Sequence, residues 1–120
     1  RASRRQRQMC IRDRVDTFAG ADLWQEGLIT KTPEDMVLRK RWFSDVEILR
    51  QNTSYAAKWL ANSGTKDPYR EGPLGVIQEG TYADLLLVEG NPVKDVTIMA
   101  DWKNNIKVII KDGEIYKNTL

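Results

Sequence analysis

Asp22, in the run Gly20-Ala21-Asp22-Leu23, is the carboxylate whose setting could do chemistry. Val15, Thr17 and Ala19 alternate ahead of it, the period of a short strand, and Gly20 lets the backbone turn at its end. A carboxylate at such a strand-to-loop junction can move a proton or ligate a cation. It can equally bond neighbouring backbone amides as a turn or capping aspartate, and the residue types alone favour that ordinary role. Asp84, Asp95 and Asp112 stand in acidic turns too, where a strand edge, a cap and a hairpin turn account for them without a metal. Metal-assisted hydrolysis needs a divalent ion held by several histidines or carboxylates with a coordination position open. This chain has 17 acidic residues, one cysteine and no histidine. One candidate carboxylate cannot build such a centre, so the chain by itself is expected neither to bind a metal tightly nor to turn over.

The elements that would position Asp22 follow it. Thr32-Pro33-Glu34-Asp35 reads as a helix start, with Thr32 as N-cap and acids in the first turn, for a helix from about Pro33 to Trp42. Its basic end, Arg39-Lys40-Arg41, precedes Trp42-Phe43. Basic residues beside aromatics can bind nucleic acid, but cations in a last helical turn complement the helix dipole, and no second basic cluster extends a track. The expected arrangement is solvated cations and inward-packed aromatics. Ser44-Asp45-Val46-Glu47 is a capping box opening a second helix to about Gln51, with Val46 and Leu49 on its apolar side. Asn52-Thr53-Ser54 breaks it, and a third helix begins at Tyr55 and ends near Gly64, its alanines beside Trp59 suited to packing on a sheet.

Residues 64–73 are a polar linker and mark the internal boundary. Beyond it the pattern is strand-like over Leu74–Ile77, Ala83–Val88, Ile106–Lys111 and Glu114–Tyr116, with Asp112-Gly113 a two-residue hairpin signal. Ala83–Val88, stopped by Gly90-Asn91-Pro92, reads as a strand buried on both faces. Residues 93–102 read as a short helical or irregular connection capped by Asp95.

Arg4–Asp13 is the translation of CGT CGG CAG CGT CAG ATG TGT ATA AGA GAC, a frame of a widely used transposase sequencing adapter. Residues 1–14 are therefore read as an extension foreign to the gene and not as a basic arm for nucleic acid. The whole chain carries 19 basic and 17 acidic residues, net +2; without the six Arg and one Asp of residues 1–14 it carries 13 and 16, net −3. A mildly acidic remainder gives no electrostatic reason to expect a nucleic-acid partner. The single cysteine, Cys10, lies in the excluded stretch, so no disulfide framework forms. No apolar run is long enough to span a membrane.

The pattern Gly75-x-Ile77-x-x-Gly80-x-x-Ala83-Asp84-Leu85-Leu86-Leu87-Val88-x-Gly90-Asn91-Pro92-x-x-Asp95, with Val108-Ile109-Ile110-Lys111-Asp112-Gly113-Glu114-Ile115-Tyr116 after it, resembles the C-terminal end of metal-dependent amidohydrolases. It is most similar to the imidazolonepropionase-like and Xaa-Pro dipeptidase-like branch, and the resemblance runs from about Val15 to Leu120. It implies an α/β plus β fold: residues 15–63 as the last strand and closing helices of a (β/α)8 barrel, then residues 64–120 as the C-terminal part of a small β-sandwich domain. Gly20-Ala21-Asp22-Leu23 is similar to the family's Gly-Thr/Ser-Asp motif at the end of the eighth strand, where the Asp binds metal and shuttles the proton. Ala21 departs from the usual hydroxyl residue there. The resemblance further implies, for the full-length parent, a divalent metal of zinc type, a small-molecule amide, cyclic amide or dipeptide substrate, and attack of metal-bound hydroxide on a carbon–nitrogen bond. The family's histidine and modified-lysine ligands would all lie upstream of this sequence.

Two readings of different class follow. The chain is a piece of a metal-dependent hydrolase, inactive alone, or it is a noncatalytic, free-standing β module for binding or assembly. The first leaves residues 15–63 poorly stable in isolation, since a last barrel strand without neighbours has both edges unpaired. The second requires three or more strands with a buried face.

Overall fold

The computed structural model describes residues 17–20 and 31–120. Among these residues four α-helices and three strands run in the order α1 (Thr32–Arg39), α2 (Asp45–Asn52), α3 (Ser54–Ala61), β1 (Leu85–Val88), α4 (Trp102–Asn105), β2 (Ile106–Lys111) and β3 (Glu114–Asn118), with 3-10 turns at Gly64–Lys66 and Val96–Asp101. The strand expected over 15–19 is not seen in its described part: residues 17–20 carry no regular structure.

Helix α1 starts one residue earlier than expected. Lys31, not Thr32, is its N-cap, and no side chain caps it. It also ends at Arg39 and not at Trp42, because the amides of Lys40, Arg41 and Trp42 turn to the carbonyls of Val37, Leu38 and Arg39. These tighter bonds satisfy the last carbonyls of the helix and close it. Ser44 is the N-cap of α2, as expected: its Oγ accepts from the Glu47 amide at 3.3 Å. The face that α2 buries is only partly the expected one: Leu49 packs against the core, but it is not the centre of the buried face. Ile48 and Gln51 are fully buried, while Val46 is 38% exposed. The cause is Asp45, whose Oδ1 accepts from the Val96 amide at 2.8 Å. That bond fixes the rotation of the helix, and positions 48 and 51, three and six residues on, then share its inward face. Thr53 separates α2 from α3 with φ −125° and ψ −98°.

The core joins the two sides of the linker. Ile48 packs in one cluster with Val96, Met99 and Ile106, with Met36, Phe43, Leu49, Val88, Ile98, Trp102 and Ile109 around it. The helical segment therefore has no core of its own among the described residues, and the sheet segment shares Ile48 with it.

Strands β1, β2 and β3 form an antiparallel sheet in that order. Leu85 faces Ile110 and Leu87 faces Val108; the register then slips between Leu87 and Val88, which faces Ile106. Asp112 (φ 51°) and Gly113 (φ 80°) make the β2–β3 turn, the left-handed pair that a two-residue hairpin needs. Gly113 donates to the Ala83 carbonyl at 3.2 Å, so the hairpin tip is tied to the chain entering β1.

Two strand expectations fail. Leu74–Ile77 forms a bend at residues 75 and 76 and no strand, since Gly75 takes φ 70°, and Ile77 is 89% exposed. Strand β1 is not buried on both faces: Leu86 and Leu87, which point to opposite sides, are 52% and 51% exposed. It is an edge strand, paired only with β2 among the described residues. Its apolar composition is thus not matched by burial within this chain.

Candidate functional site

Asp22, the expected proton carrier and metal ligand, lies outside the described residues. So does the extension 1–14. What the structure describes is the run leading to Asp22, residues 17–20, and what holds it. Gln51 Nε2 donates to Thr17 Oγ1 at 2.8 Å. The Ala19 amide donates to the Gln51 carbonyl at 3.0 Å. Between them Phe18 stacks on Trp59 of α3, with ring centroids 4.4 Å apart and planes 24° apart. Three consecutive residues are therefore gripped by α2 and α3.

The grip depends on a buried amide. Gln51 is fully buried, and a buried polar side chain is tolerated only when its donor and acceptor are both satisfied. Arg39 Nη1 donates to Gln51 Oε1 at 3.3 Å, and Arg39 Nε is held by Asp35 one turn back. The chain Asp35, Arg39, Gln51, Thr17 thus connects the first turn of α1 to the run before Asp22. Sequence reasoning did not single out Gln51. The signal available was its spacing of three from Ile48 on a capped helix, a polar side chain in an apolar stripe.

The basic cluster behaves only partly as expected. Arg39 is engaged inward, and Lys40 lies 2.9 Å from Asp95 and 3.0 Å from Asp45, so these two cations are ion-paired and not merely solvated. Phe43 packs on the core, but Trp42 is 37% exposed. Trp59 is 54% exposed and stacks on Phe18.

Asp84, Asp95 and Asp112 each have the local role their positions suggest. Asp84 Oδ1 accepts from the Asp112 amide at 2.9 Å, bracing the hairpin turn. Asp95 Oδ1 accepts from the Thr97 amide at 3.1 Å as the cap of the 3-10 turn. The Lys40 ammonium beside it, with the Thr97 bonds, pulls the Asp95 carboxyl down from 3.8 to about 2. Asp45 is lowered as well, chiefly by the Val96 amide, and Lys40 is raised, chiefly by Asp95. Among the described residues no group of three or more histidine, cysteine or acidic side chains could hold a metal ion. These residues therefore do not fit a metal centre by themselves. No helix among them is long and apolar enough to cross a membrane.

Comparison with known proteins gives this arrangement a context. A crystal structure of an amidohydrolase superposes with a TM-score of 0.77 at 28% identity, covering 97% of this chain and 26% of that one. A crystal structure of a prolidase complexed with N-methylphosphonate-L-proline superposes with a TM-score of 0.76 at 26% identity, again covering 97% of this chain and 26% of that one. The chain is similar in structure and sequence to part of these hydrolases, and it spans about a quarter of their length. The 97% coverage does not set residues 1–14 apart from the rest. No family model matches the chain, and no curated protein matches it.

Proposed function

We propose that the chain is the C-terminal piece of a metal-dependent hydrolase of carbon–nitrogen bonds, with Asp22 as its proton carrier and one metal ligand. The observation that carries this reading is the match of nearly the whole chain to a quarter of an amidohydrolase and of a prolidase. In this reading residues 15–63 close a (β/α)8 barrel after its last strand and residues 64–120 belong to a β-sandwich domain beside it. In barrels of that kind the catalytic groups sit at the C-terminal ends of strands, the place Asp22 would take after residues 15–19.

The substrate class follows from the prolidase's ligand. An N-phosphonate of proline carries a tetrahedral phosphorus where an amide of proline carries its carbonyl carbon, so dipeptides with a C-terminal proline are the first substrates to try; cyclic and other small amides come next. Asp22 would accept the proton of the attacking water and return it to the leaving nitrogen, which as an amide anion is otherwise too basic to depart. The metal ligands must come from the part of the parent that lies outside this chain. Residues 1–14 are foreign to the gene in this reading, on the strength of the ten residues Arg4–Asp13 that match a translated adapter frame, and the 120-residue chain alone is inactive.

The alternative, a free-standing β module, draws on the three-stranded sheet at residues 85–118. Against it stands Ile48, which the helical segment contributes to the core under that sheet.

The test is to recover the reading frame upstream of Val15, express the longer protein with a divalent metal, and assay Xaa-Pro dipeptides and other amides. The expected frame supplies the histidine ligands in place of residues 1–14, and Asp22→Asn lowers kcat by about 10²-fold to 10⁴-fold. A frame that begins with the arginine-rich segment, or an Asp22→Asn protein as fast as the wild type, overturns the proposal.

A further inference from the structure

We infer that Asp112-Gly113, the tip of the β2–β3 hairpin, is a latent isoaspartate site, and that Asp84 and the Ala83 carbonyl keep it closed in the folded chain. It is the only step in the sequence at which an aspartate or asparagine precedes glycine. Such a step is chemically labile. Glycine has no side chain to crowd its nitrogen, so the Gly113 amide can attack the side-chain carboxyl carbon of Asp112. An N–C bond forms there, and the carboxyl hydroxyl leaves as water with the amide proton. The five-membered imide that results takes up one water at either of its carbonyls. Opening at one restores the aspartate; opening at the other leaves the backbone running through the side chain. Water is the only co-reactant.

Both reacting groups are engaged in the fold. The Gly113 amide, the nucleophile, donates to the Ala83 carbonyl at 3.2 Å. The Asp112 amide donates to Asp84 Oδ1 at 2.9 Å, which holds the residue carrying the electrophile in the left-handed conformation of the turn, φ 51°. Lys111 Nζ lies 3.8 Å from Asp84 Oδ2 and 4.0 Å from Asp112 Oδ2, within reach of both carboxylates. Ring closure requires the Gly113 nitrogen to turn from Ala83 to the Asp112 side chain and give up its proton, and neither happens while its hydrogen bond stands. Burial is not the guard, since the Asp112 side chain is 59% exposed and water reaches it freely. The protection comes from the two residues that lead into β1.

The consequence of opening is structural. Isoaspartate adds a carbon to the backbone of a two-residue turn, whose geometry sets the register of the strands it joins. Lys111 opposite Glu114 and Ile110 opposite Ile115 cannot both be kept across the longer link, so an isomerised chain loses the pairing of β3 with β2. The rate at which this happens in the folded chain is the rate in the unfolded chain multiplied by the fraction of time the tip is open. Asp84 sets that fraction through its bond to the Asp112 amide. Asparagine at 84 keeps an acceptor oxygen in the same place, whereas alanine keeps none.

The experiment incubates the 120-residue chain at neutral pH, with and without guanidinium chloride, and follows isoaspartate at residue 112 by separating the tryptic peptides and by methyl transfer from a protein isoaspartate methyltransferase. The variants are Asp84→Ala, Asp84→Asn and, as the control for lost stability, Met99→Ala in the core. The folded chain should isomerise at least about 10-fold more slowly than the chain in denaturant. Asp84→Ala should isomerise about 5-fold to 10-fold faster than the folded wild type, with Asp84→Asn close to wild type and Met99→Ala well below Asp84→Ala. Amide exchange at Gly113 gives a measure that needs no variant: its protection should match the slowing of isomerisation, because one opening exposes both reactions. If Asp84→Ala does not fold, that match decides. Equal rates in the folded and denatured chain overturn the inference, as does a Gly113 amide that exchanges as fast as in denaturant. An Asp84→Ala chain as slow as wild type, or a Met99→Ala chain as fast as Asp84→Ala, overturns the part given to Asp84.

Discussion

Lys40 Nζ lies 2.9 Å from Asp95 Oδ1, an ion pair between residues 55 apart in the chain. The same ammonium is 3.0 Å from Asp45, and Asp45 in turn accepts from the Val96 amide. One cation thus ties the end of α1, the start of α2 and the cap of the 3-10 turn into a single contact. Because Asp95 titrates near 2 in the fold and near 3.8 when unpaired, its contribution is complete above about pH 4 and is lost as pH falls toward 2. Acid unfolding followed by circular dichroism should therefore steepen in that window. Asp95→Asn should flatten it and lower the thermal midpoint at neutral pH; an unchanged acid profile would show that the pair contributes nothing.

Two glycines with positive φ should differ in cost when replaced by alanine. A Cβ on Gly113 (φ 80°) meets nothing within 4 Å, so Gly113→Ala carries only backbone strain, about 1–2 kcal/mol. A Cβ on Gly75 (φ 70°) meets the Thr53 carbonyl carbon and oxygen at 2.6 Å and the Ser54 amide at 2.9 Å. Those are backbone atoms at the α2–α3 junction and cannot swing aside, so Gly75→Ala should cost at least about 2 kcal/mol beyond its strain. Urea midpoints of the two variants give the comparison directly, and equal midpoints would place residue 75 away from the junction.

Ile48→Ala should destabilise the chain by about 2–5 kcal/mol, and its effect should reach both sides of the linker. Ile48 is fully buried and packs in the same cluster as Met99 and Ile106. Amide exchange should speed up in α2 and in β2 together. Exchange that rises in α2 while β2 stays protected would mean two separate cores.

Strand β1 should make the 120-residue chain prone to associate. Leu85, Leu86 and Leu87 are 38%, 52% and 51% exposed, and the strand's outer edge pairs with no strand among the described residues. Exposed apolar edges recruit further strands, and lysine is the usual natural guard against this. Leu86→Lys should raise the concentration at which light scattering first appears, with little change in far-ultraviolet circular dichroism.

How far the sequence could be read differs from element to element. The Ser44 N-cap, the Asp95 cap and the Asp112-Gly113 turn were legible, because each is decided by residues within a few positions of one another. Strand β2 was legible down to its ends for the same reason: an apolar run met a turn signal. The buried face of α2 was legible only in part, through Leu49. Val46 and Leu49 satisfy the helical period as well as Ile48 and Gln51 do, and the choice is made by a hydrogen bond to Val96, which no local pattern encodes. Burial of β1 was misjudged because composition reports what a strand needs and not which chain supplies it. Of the candidate site, the sequence pointed to Asp22 through resemblance alone, while the Gln51 contacts with residues 17 and 19 join positions more than thirty apart.

The sharing of Ile48 between the helical and sheet segments bears on how such a protein can be divided and recombined. Exchanging residues 64–120 for the equivalent stretch of a relative would seat a foreign surface on Ile48, Asp45 and Lys40, whose partners Val96, Met99 and Asp95 all lie beyond the cut. A crossover in the loop between α1 and α2 would separate Lys40 from Asp45, and one after α2 would separate Ile48 from Ile106 of the sheet. The smallest heritable block that keeps these partners together runs from Thr17 to the end of β3, which makes the linker at 64–73 a poor place to splice chimeras although it is the most polar stretch of the chain.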